Sequence, residues 1–512
     1  MDGTHNGELS KEQPQAEPAN CARKIRVAIV GTGLAGLTTA YLLQQDKQKR
    51  YHVTLFEQAE AMSLDAASVT VKNDGTGVTE RIDIPPRSFC RGYYDNLCRM
   101  YDYLGMPFQP ISLTWVYAKA SATSRSEFDP SCYENAETIP GTYFVYGRRL
   151  HEMLLMSSHF WRSSFETILQ TFYLAICHIW FFASCFLLAP RRIRPKSHSD
   201  LDFNTDDFSH YESFRQYVDR IRLPQQYLSC YLLPVLSVIC SCSHAEMMDF
   251  PASDVTNFVK GSFWRKTYVN KGGINRVQSA LSNQIQDVRL RARVLKVDQA
   301  DGQVLIRWER PADKGRPMSE EMFDRVVLAV SPNVAAAIFD PAKSTLSMIP
   351  TAPVTSSVSA PASAKMSLVH EKGHKTSGEC SYRRGDTQVM VFRTMFSADV
   401  VRSESLHFLP NGVTVRTSPS AGTDLPKGSL HSATFTRTLR TIRSRRVVNR
   451  ALRKSISGDD SNCGVWTNGE DGVWITGSWC WDGLVVLEGC VISAMRVARD
   501  FGVSIPWDKG HS

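Results

Sequence analysis

The run Val27-Ala-Ile-Val30 passes directly into Gly31-x-Gly33-x-x-Gly36 and then into helix-forming residues through Ala40. Few folds accept that order. Four apolar residues in a row predict a strand buried on both faces. Gly31 permits a tight turn, Gly33 lets the backbone approach a pyrophosphate, and Gly36 lets the following helix pack close to the strand. Thr32 and Ala35 lie between these glycines. The start of the helix offers unpaired N–H groups and a partial positive charge to phosphate oxygens. A second apolar run, Val53-Thr-Leu-Phe56, ends at Glu57. That acid stands about 20 residues beyond the last glycine, where a carboxylate accepts hydrogen bonds from a ribose 2′-hydroxyl. It would repel a 2′-phosphate, so NADP is disfavoured. Strand, turn, helix and acid in register predict a dinucleotide site.

Three further runs read as strands. They are Val288 to Val297, followed by an Asp301-Gly302 turn and Val304 to Trp308; Phe323 to Val330; and Trp474 to Gly477, with a helix from about Val485 to Phe501. With the runs at 27 and 53 they predict one parallel sheet assembled from distant parts of the chain, and a second lobe made of the intervening segments. Residues 351–364 are small and polar and read as a loop feeding a strand. Residues 403–430 read as loose loop with one short strand.

The 512 residues suffice for two lobes. A net charge of +8 is modest at this length, and no nucleic-acid module is visible. The basic cluster from Arg437 to Lys454 reads either as an anionic patch-binder or as a solvated helix face. The 13 cysteines show no metal-ligand spacing, so no metal site is expected; Cys240-Ser-Cys242 reads as packing. Residues 1–23 form a polar tail with no secretory pattern. The expected setting is cytosol-facing, with reduced thiols and no secretion.

Ile168 to Ala189 carries no Asp, Glu, Lys or Arg and is followed at once by Arg191, Arg192, Arg194 and Lys196. Length and flank suit a membrane helix. A single crossing would separate strands of one sheet, and the only partner run, Tyr227 to Cys242, is short and contains Pro234. Three arrangements remain open: a helix or hairpin dipping into one leaflet, a helix buried in the second lobe, and a spanning pair. His178 within the run reads as a packed core histidine.

Taken with the glycine turn, Gly477-Ser-Trp-Cys-Trp-Asp-Gly483 and Leu487-Glu-Gly-Cys-Val-Ile-Ser-Ala494 resemble the C-terminal FAD motif of the flavin-containing amine oxidase superfamily. The chain is most similar to the FAD/NAD-binding flavoprotein subgroup associated with lipid modification and fungal biosynthesis. Arg81 to Phe89, Asn96 to Gly105, Lys271-Gly-Gly273 and Thr436 to Thr441 carry that likeness. The resemblance implies an α/β fold: a discontinuous FAD-binding Rossmann-like domain (24–110, 265–340 and 465–507) and a mixed α+β substrate domain (111–264 and 341–464). It implies FAD as cofactor, held by Gly31, Thr32, Gly33, Ala35 and Gly36 at the pyrophosphate and by Glu57 at the adenosine ribose. It places the Val294 backbone at adenine, Gly477 and Ser478 at the phosphate or ribityl chain, and Leu487 at the pyrimidine edge. A helix N-terminus there would favour the negative charge of a reduced flavin.

The family often has Gly-Gly-Arg or Gly-Gly-His after the ribose-binding acid. This chain has Ser63-Leu64-Asp65, where Asp65 and Ser68 stand near the phosphates without a fixed arginine. No catalytic base is assignable, and Lys365 reads as a surface lysine. Trp479 and Trp481 fit packing as well as a flavin-side role. The expected activity is FAD-dependent oxidation or desaturation of a small apolar, lipid- or polyketide-like substrate, with peripheral or monotopic membrane contact. A redox-neutral double-bond isomerase, an NAD-linked dehydrogenase and a non-catalytic flavin binder are the alternatives.

Overall fold

The computed structural model describes residues 23–120, 139–146, 160–191, 211–310, 318–360, 366–369, 387–397, 399–420, 429–452 and 466–508. The expected tail and Lys365 lie outside them. Five parallel strands form the first sheet, in the order Val473–Ile475, Arg325–Leu328, Ile25–Val30, Tyr51–Phe56, Asp287–Arg289. All five predicted runs therefore meet in one sheet. Alternate residues of Ile25–Val30 supply two cores: Val27 and Ile29 on one face, Ala28 and Val30 on the other. Burial on both faces is why these strands read as unbroken apolar runs.

Two of the predicted strands are divided. The run from Val288 splits after Arg289; Arg291 adopts φ 53 and turns the chain into a second strand, Arg293–Ala300. That strand pairs with Gln303–Glu309 across the Asp301-Gly302 turn (φ 50 and 75), and Ser319–Phe323 completes a three-stranded antiparallel layer. Two positive φ values are what a two-residue hairpin turn requires. The run from Phe323 splits likewise, at Asp324, whose carboxylate accepts from the Arg26 amide at 2.7 Å.

The second lobe is built on a mixed sheet of nine strands: Ser429–Thr438, Thr351–Ser359, Thr414–Ser418, Arg402–Phe408, Thr387–Met395, Phe108–Lys119, Thr267–Asn270 and Phe89–Cys90 in order, with Thr142–Tyr146 beside Phe108–Lys119. The loops expected at 351–364 and 403–430 are, where described, largely strands of this sheet. Their polar residues are buried and bond across strands, as in Ser356 to Thr417 and Thr394 to Ser403, both 2.8 Å. Cross-strand hydroxyl pairs satisfy these side chains, so the sheet tolerates them inside.

Ile168–Leu187 lies within the helix Phe160–Leu187. Leu174, Cys177, Phe181, Ser184 and Cys185 face the protein, and among the described residues the side chains on the opposite apolar side, Ile168, Phe172 and Ile179 included, are exposed. The reading as a helix buried inside the lobe is thus corrected. The run 227–242 is not a second crossing. It is a broken helix, with a π-helical turn at Leu228–Leu232 and Leu233–Cys240 beyond it, and its side chains fill the main core. His178 is not a core residue either; it sits at the flank of its helix and bonds the Tyr227 hydroxyl at 2.8 Å.

The basic cluster is divided: Arg443 and Arg446 are exposed on the helix Ile442–Ala451, a solvated face, whereas Arg437, Arg440 and Arg445 turn inward. Arg437 donates to the carbonyls of Ile239, Cys240 and Val485, and Arg440 donates to those of Trp479 and Trp481 at 3.0 Å. These side chains turn inward because the 479–486 loop presents carbonyls that no strand or helix satisfies.

Candidate functional site

The glycine turn closes as its spacing demands. The Gly31 amide donates to the Phe56 carbonyl at 2.8 Å, and Gly31 has φ 102. A Cβ on Gly36 would stand 2.1 Å from the Gly31 carbonyl oxygen. Gly33 differs from both. Its φ of −67 and ψ of 179 suit any residue, and a Cβ there would meet only the Ser63 hydroxyl, at 4.0 Å. Neither φ strain nor packing requires this glycine, which leaves glycine's preference at an N-cap and open space beside the turn. It is the N-cap of helix Leu34–Gln44, which has no side-chain cap, so the first N–H groups face that space.

The helix Leu487–Asp500 packs against Leu34–Gln44 and also begins without a side-chain cap. The Cys490 thiol lies against the Ala35 amide, and burial pushes it up to about 11. The two ends of the chain thus meet at one cradle. Gly489 makes this approach possible: a Cβ there would stand 2.4 Å from the Ser478 carbonyl oxygen. Gly477 is fixed through Ser493, which accepts from its amide at 3.0 Å and donates to its carbonyl at 3.1 Å. Ser478 and Leu487 remain half-buried at the rim. Glu488 points away from the cradle. It accepts from the amides of Asn96 and Leu97 and so caps the helix Asp95–Tyr103, while burial raises its carboxyl. Trp479 and Trp481 are packing residues, donating to the carbonyls of Val330 and Leu484.

Glu57 is buried and already holds the turn. One oxygen accepts from the Thr32 amide (3.2 Å) and hydroxyl (2.6 Å), the other from the Ala59 amide (3.0 Å). A carboxylate has about four acceptor directions, which leaves one for a ribose hydroxyl. Val294 follows close by: the Ala292 amide donates to the Glu57 carbonyl at 2.8 Å, and a register shift after Val294 interrupts its ladder.

Two arginines from outside the segment 63–65 reach it. Ser63 donates its amide to Thr32 Oγ1 at 2.8 Å; Arg87 Nη2 donates to the Leu64 carbonyl at 2.7 Å; Arg81 pairs with Asp65. Burial nonetheless raises the Asp65 carboxyl, more than the arginine lowers it. Arg81 and Arg87 escaped the sequence reading, although the stretch Arg81 to Phe89 had marked the resemblance. Their pairing depends on a strand return that spacing does not reveal.

These two arginines converge with Asp83, Asn270, Gln388 and His407 on one cavity. Among the described residues, the Nε atoms of Arg81 and Arg87, Asn270 Oδ1 and His407 Nδ1 are buried and have no hydrogen-bond partner. Asp83 accepts from the Ile274 amide at 3.0 Å, and burial raises its carboxyl. His407 Nε2 bonds Gln388 Oε1 at 2.7 Å. With its proton on Nε2, Nδ1 is left as a lone-pair acceptor.

Burial pushes His407, and His244 behind it, down to about 4. An unfolded histidine takes its proton near 6.5. Above that pH both are neutral in either state. As pH falls from about 6.5 to 4, the unfolded chain binds protons that the folded chain refuses. Stability is expected to drop across that window by about 3 kcal/mol per histidine, and the drop ends near pH 4. Urea unfolding midpoints measured against pH check this. The raised carboxyls of Asp65, Asp83 and Glu488 act in the opposite direction, so wild type is compared with His407→Gln: the variant should lose less stability than wild type as pH falls from about 6.5 to 4, and parallel profiles would contradict it.

The fold is α/β, with a Rossmann-like parallel sheet and a second lobe on a mixed sheet, and it is similar to the flavin amine oxidase fold. The NAD(P)-binding Rossmann-like domain family matches residues 29–104. A protein assigned as a protoporphyrinogen oxidase from Exiguobacterium sp. 255-15 is similar along 94% of this chain and 99% of its own, at 14% identity and TM-score 0.50. A CLA-producing fatty acid isomerase from P. acnes is similar along 93% and 99%, at 12% identity and TM-score 0.50. A single-site variant of putrescine oxidase covers the same shares at 14% identity and TM-score 0.51. No curated protein matches the chain in sequence. At these identities the likeness is one of fold.

Proposed function

We propose that the chain is an FAD-dependent oxidoreductase that oxidises or desaturates an apolar, lipid- or polyketide-like substrate. The observation that carries this reading is the contact between helices Leu34–Gln44 and Leu487–Asp500 beside Gly33 and the open space next to it. The amides of the 31–36 turn would hold the pyrophosphate, and Glu57 the ribose. Val294 would meet adenine, Gly477 and Ser478 the ribityl phosphate, and Leu487 the pyrimidine edge. When bound, FAD supplies a two-electron acceptor.

The chain's own residues would do the rest. Arg81, Asn270 and His407 offer polar contacts to one end of a substrate. Along the same sheet face Met390 stands in register with His407, and Phe392 with Ser405; Tyr117 lies 5.4 Å from Phe392 and 5.5 Å from Tyr231. That aromatic row suits an apolar tail and excludes water. The solved neighbour that isomerises a fatty acid supports a second reading, double-bond migration without net oxidation.

Releasing the cofactor from purified protein and weighing it tests the first claim: FAD is expected, and NAD with no flavin would sink it. Product mass then separates the two readings, since oxidation removes two hydrogens and isomerisation none.

A further inference from the structure

On the helix Phe160–Leu187, the exposed side chains Ile168, Leu169, Phe172, Ile176, Ile179, Trp180, Phe186 and Leu187 recur with helical spacing. At about 100° per residue they occupy roughly a third of the circumference. The arc is opposite the buried stripe of Leu174, Cys177, Phe181 and Cys185. A soluble helix of this length places charge on its outer face; this one places isoleucine, phenylalanine and tryptophan. A second segment extends the patch. Phe263 packs on Phe182 at 5.1 Å and on Phe186 at 5.4 Å, and it is followed by Trp264, which is 92% exposed. Trp264 holds φ 52, a conformation that costs a bulky residue about 1–3 kcal/mol. The fold accepts that cost to present an indole to the outside.

The rim of this patch is cationic. Arg265 and Lys266 follow Trp264 and are exposed, as is Arg191 just past the helix end. Trp180 donates its indole N–H to the Ile221 carbonyl at 2.9 Å, which brings the exposed Arg222 to the same edge.

We propose that this face seats the protein on the anionic leaflet of a phospholipid bilayer, with the helix lying in the interface and Phe263 and Trp264 inserted beside it. An apolar face flanked by cations is what such a surface attracts: acyl chains take up the aliphatic side chains, indoles settle at headgroup depth, and arginines meet phosphate and serine carboxylates. A second copy of the chain is a poorer occupant, because pairing two such faces brings like-charged rims together. The seat does not depend on the cofactor reading. Its consequence does: the buried side of the same helix reaches Tyr227 and Tyr231 through His178 and Gln170, so a substrate drawn from the leaflet would enter at the aromatic row.

The test is flotation of the full chain with phosphatidylcholine vesicles, with and without phosphatidylserine, at low and high salt. Wild-type protein is expected to float with the anionic vesicles, weakly with neutral ones, and less in high salt. Ile179→Asp combined with Trp264→Asp should reduce the floated fraction at least about tenfold with an unchanged melting temperature. Arg265→Glu with Lys266→Glu, which touches no apolar contact, should remove the preference for phosphatidylserine. Wild-type protein that fails to float with either vesicle overturns the proposal. So does an Asp double variant that floats as well as wild type, or a wild-type dimer in vesicle-free solution that this variant dissociates.

Discussion

Asp254→Ala is expected to destabilise the fold by about 3–5 kcal/mol, the usual result of removing one partner from a buried ion pair. Asp254 is 1% exposed in the helix Ala252–Ser262 and faces two guanidinium groups that are themselves buried. Arg445 pairs with one carboxylate oxygen, and Arg440 stands 3.8 Å from the other. Burial alone pushes Arg440 down to about 10. Without Asp254 both cations remain inside the protein with reduced compensation. The effect reaches the site, because Arg440 holds the carbonyls of Trp479 and Trp481 in the loop that precedes helix Leu487–Asp500. Urea unfolding followed by tryptophan fluorescence measures the loss. Asp482→Ala provides the contrast. Asp482 also pairs with Arg445, at 3.0 Å, but its side chain is 60% exposed, so about 0–1 kcal/mol is expected. Equal midpoints for wild type and Asp254→Ala would refute the buried-pair account.

Gly33→Val is expected to cost about 0.5–1 kcal/mol of stability, the difference between glycine and a β-branched residue at an N-cap, and to weaken cofactor binding about 10–100-fold. The backbone at Gly33 is already extended, so valine introduces no φ strain, and its Cβ has open space. A pyrophosphate approaching the start of helix Leu34–Gln44 would occupy that space, and an overlap of this kind costs about 1–3 kcal/mol. Gly36→Ala should behave differently. Its Cβ collides with the Gly31 carbonyl, so helix and turn must separate and stability should fall along with binding. Only a ligand explains a glycine whose replacement harms binding more than stability.

Much of this site is written locally, and some of it is not. The parallel strands were legible because burial on both faces leaves unbroken apolar runs, as at Val27 to Val30. The glycine turn was legible because Gly31 and Gly36 have steric reasons that the spacing states, while Gly33 stands at the helix N-cap beside open space. The strands Thr351–Ser359 and Arg402–Phe408 were not, because serine, threonine and glutamate inside them are satisfied by partners from other strands. Glu404, for example, is fully buried between Arg393 and Arg416. The inward turn of Arg437 and Arg440 was hidden for the same reason: composition marks a cation as exposed, whereas here distant loop carbonyls take it in. Arg81 and Arg87 reach Asp65 and Leu64, and the folded return of the strand Thr79–Ile82 against Val69–Asn73 is what brings them there. Composition identified the apolar helix but carries no record of which of its sides another element covers.

The central claim is that the glycine turn near one terminus and the Leu487 helix near the other enclose a single FAD. Bound flavin per chain, determined for wild type and Gly33→Val alongside their urea midpoints, tests it most directly. FAD is expected on the wild-type protein and little or none on the variant, with midpoints that differ by no more than the loss of an N-cap glycine, about 0.5–1 kcal/mol. Full flavin occupancy in a stably folded Gly33→Val protein would contradict it.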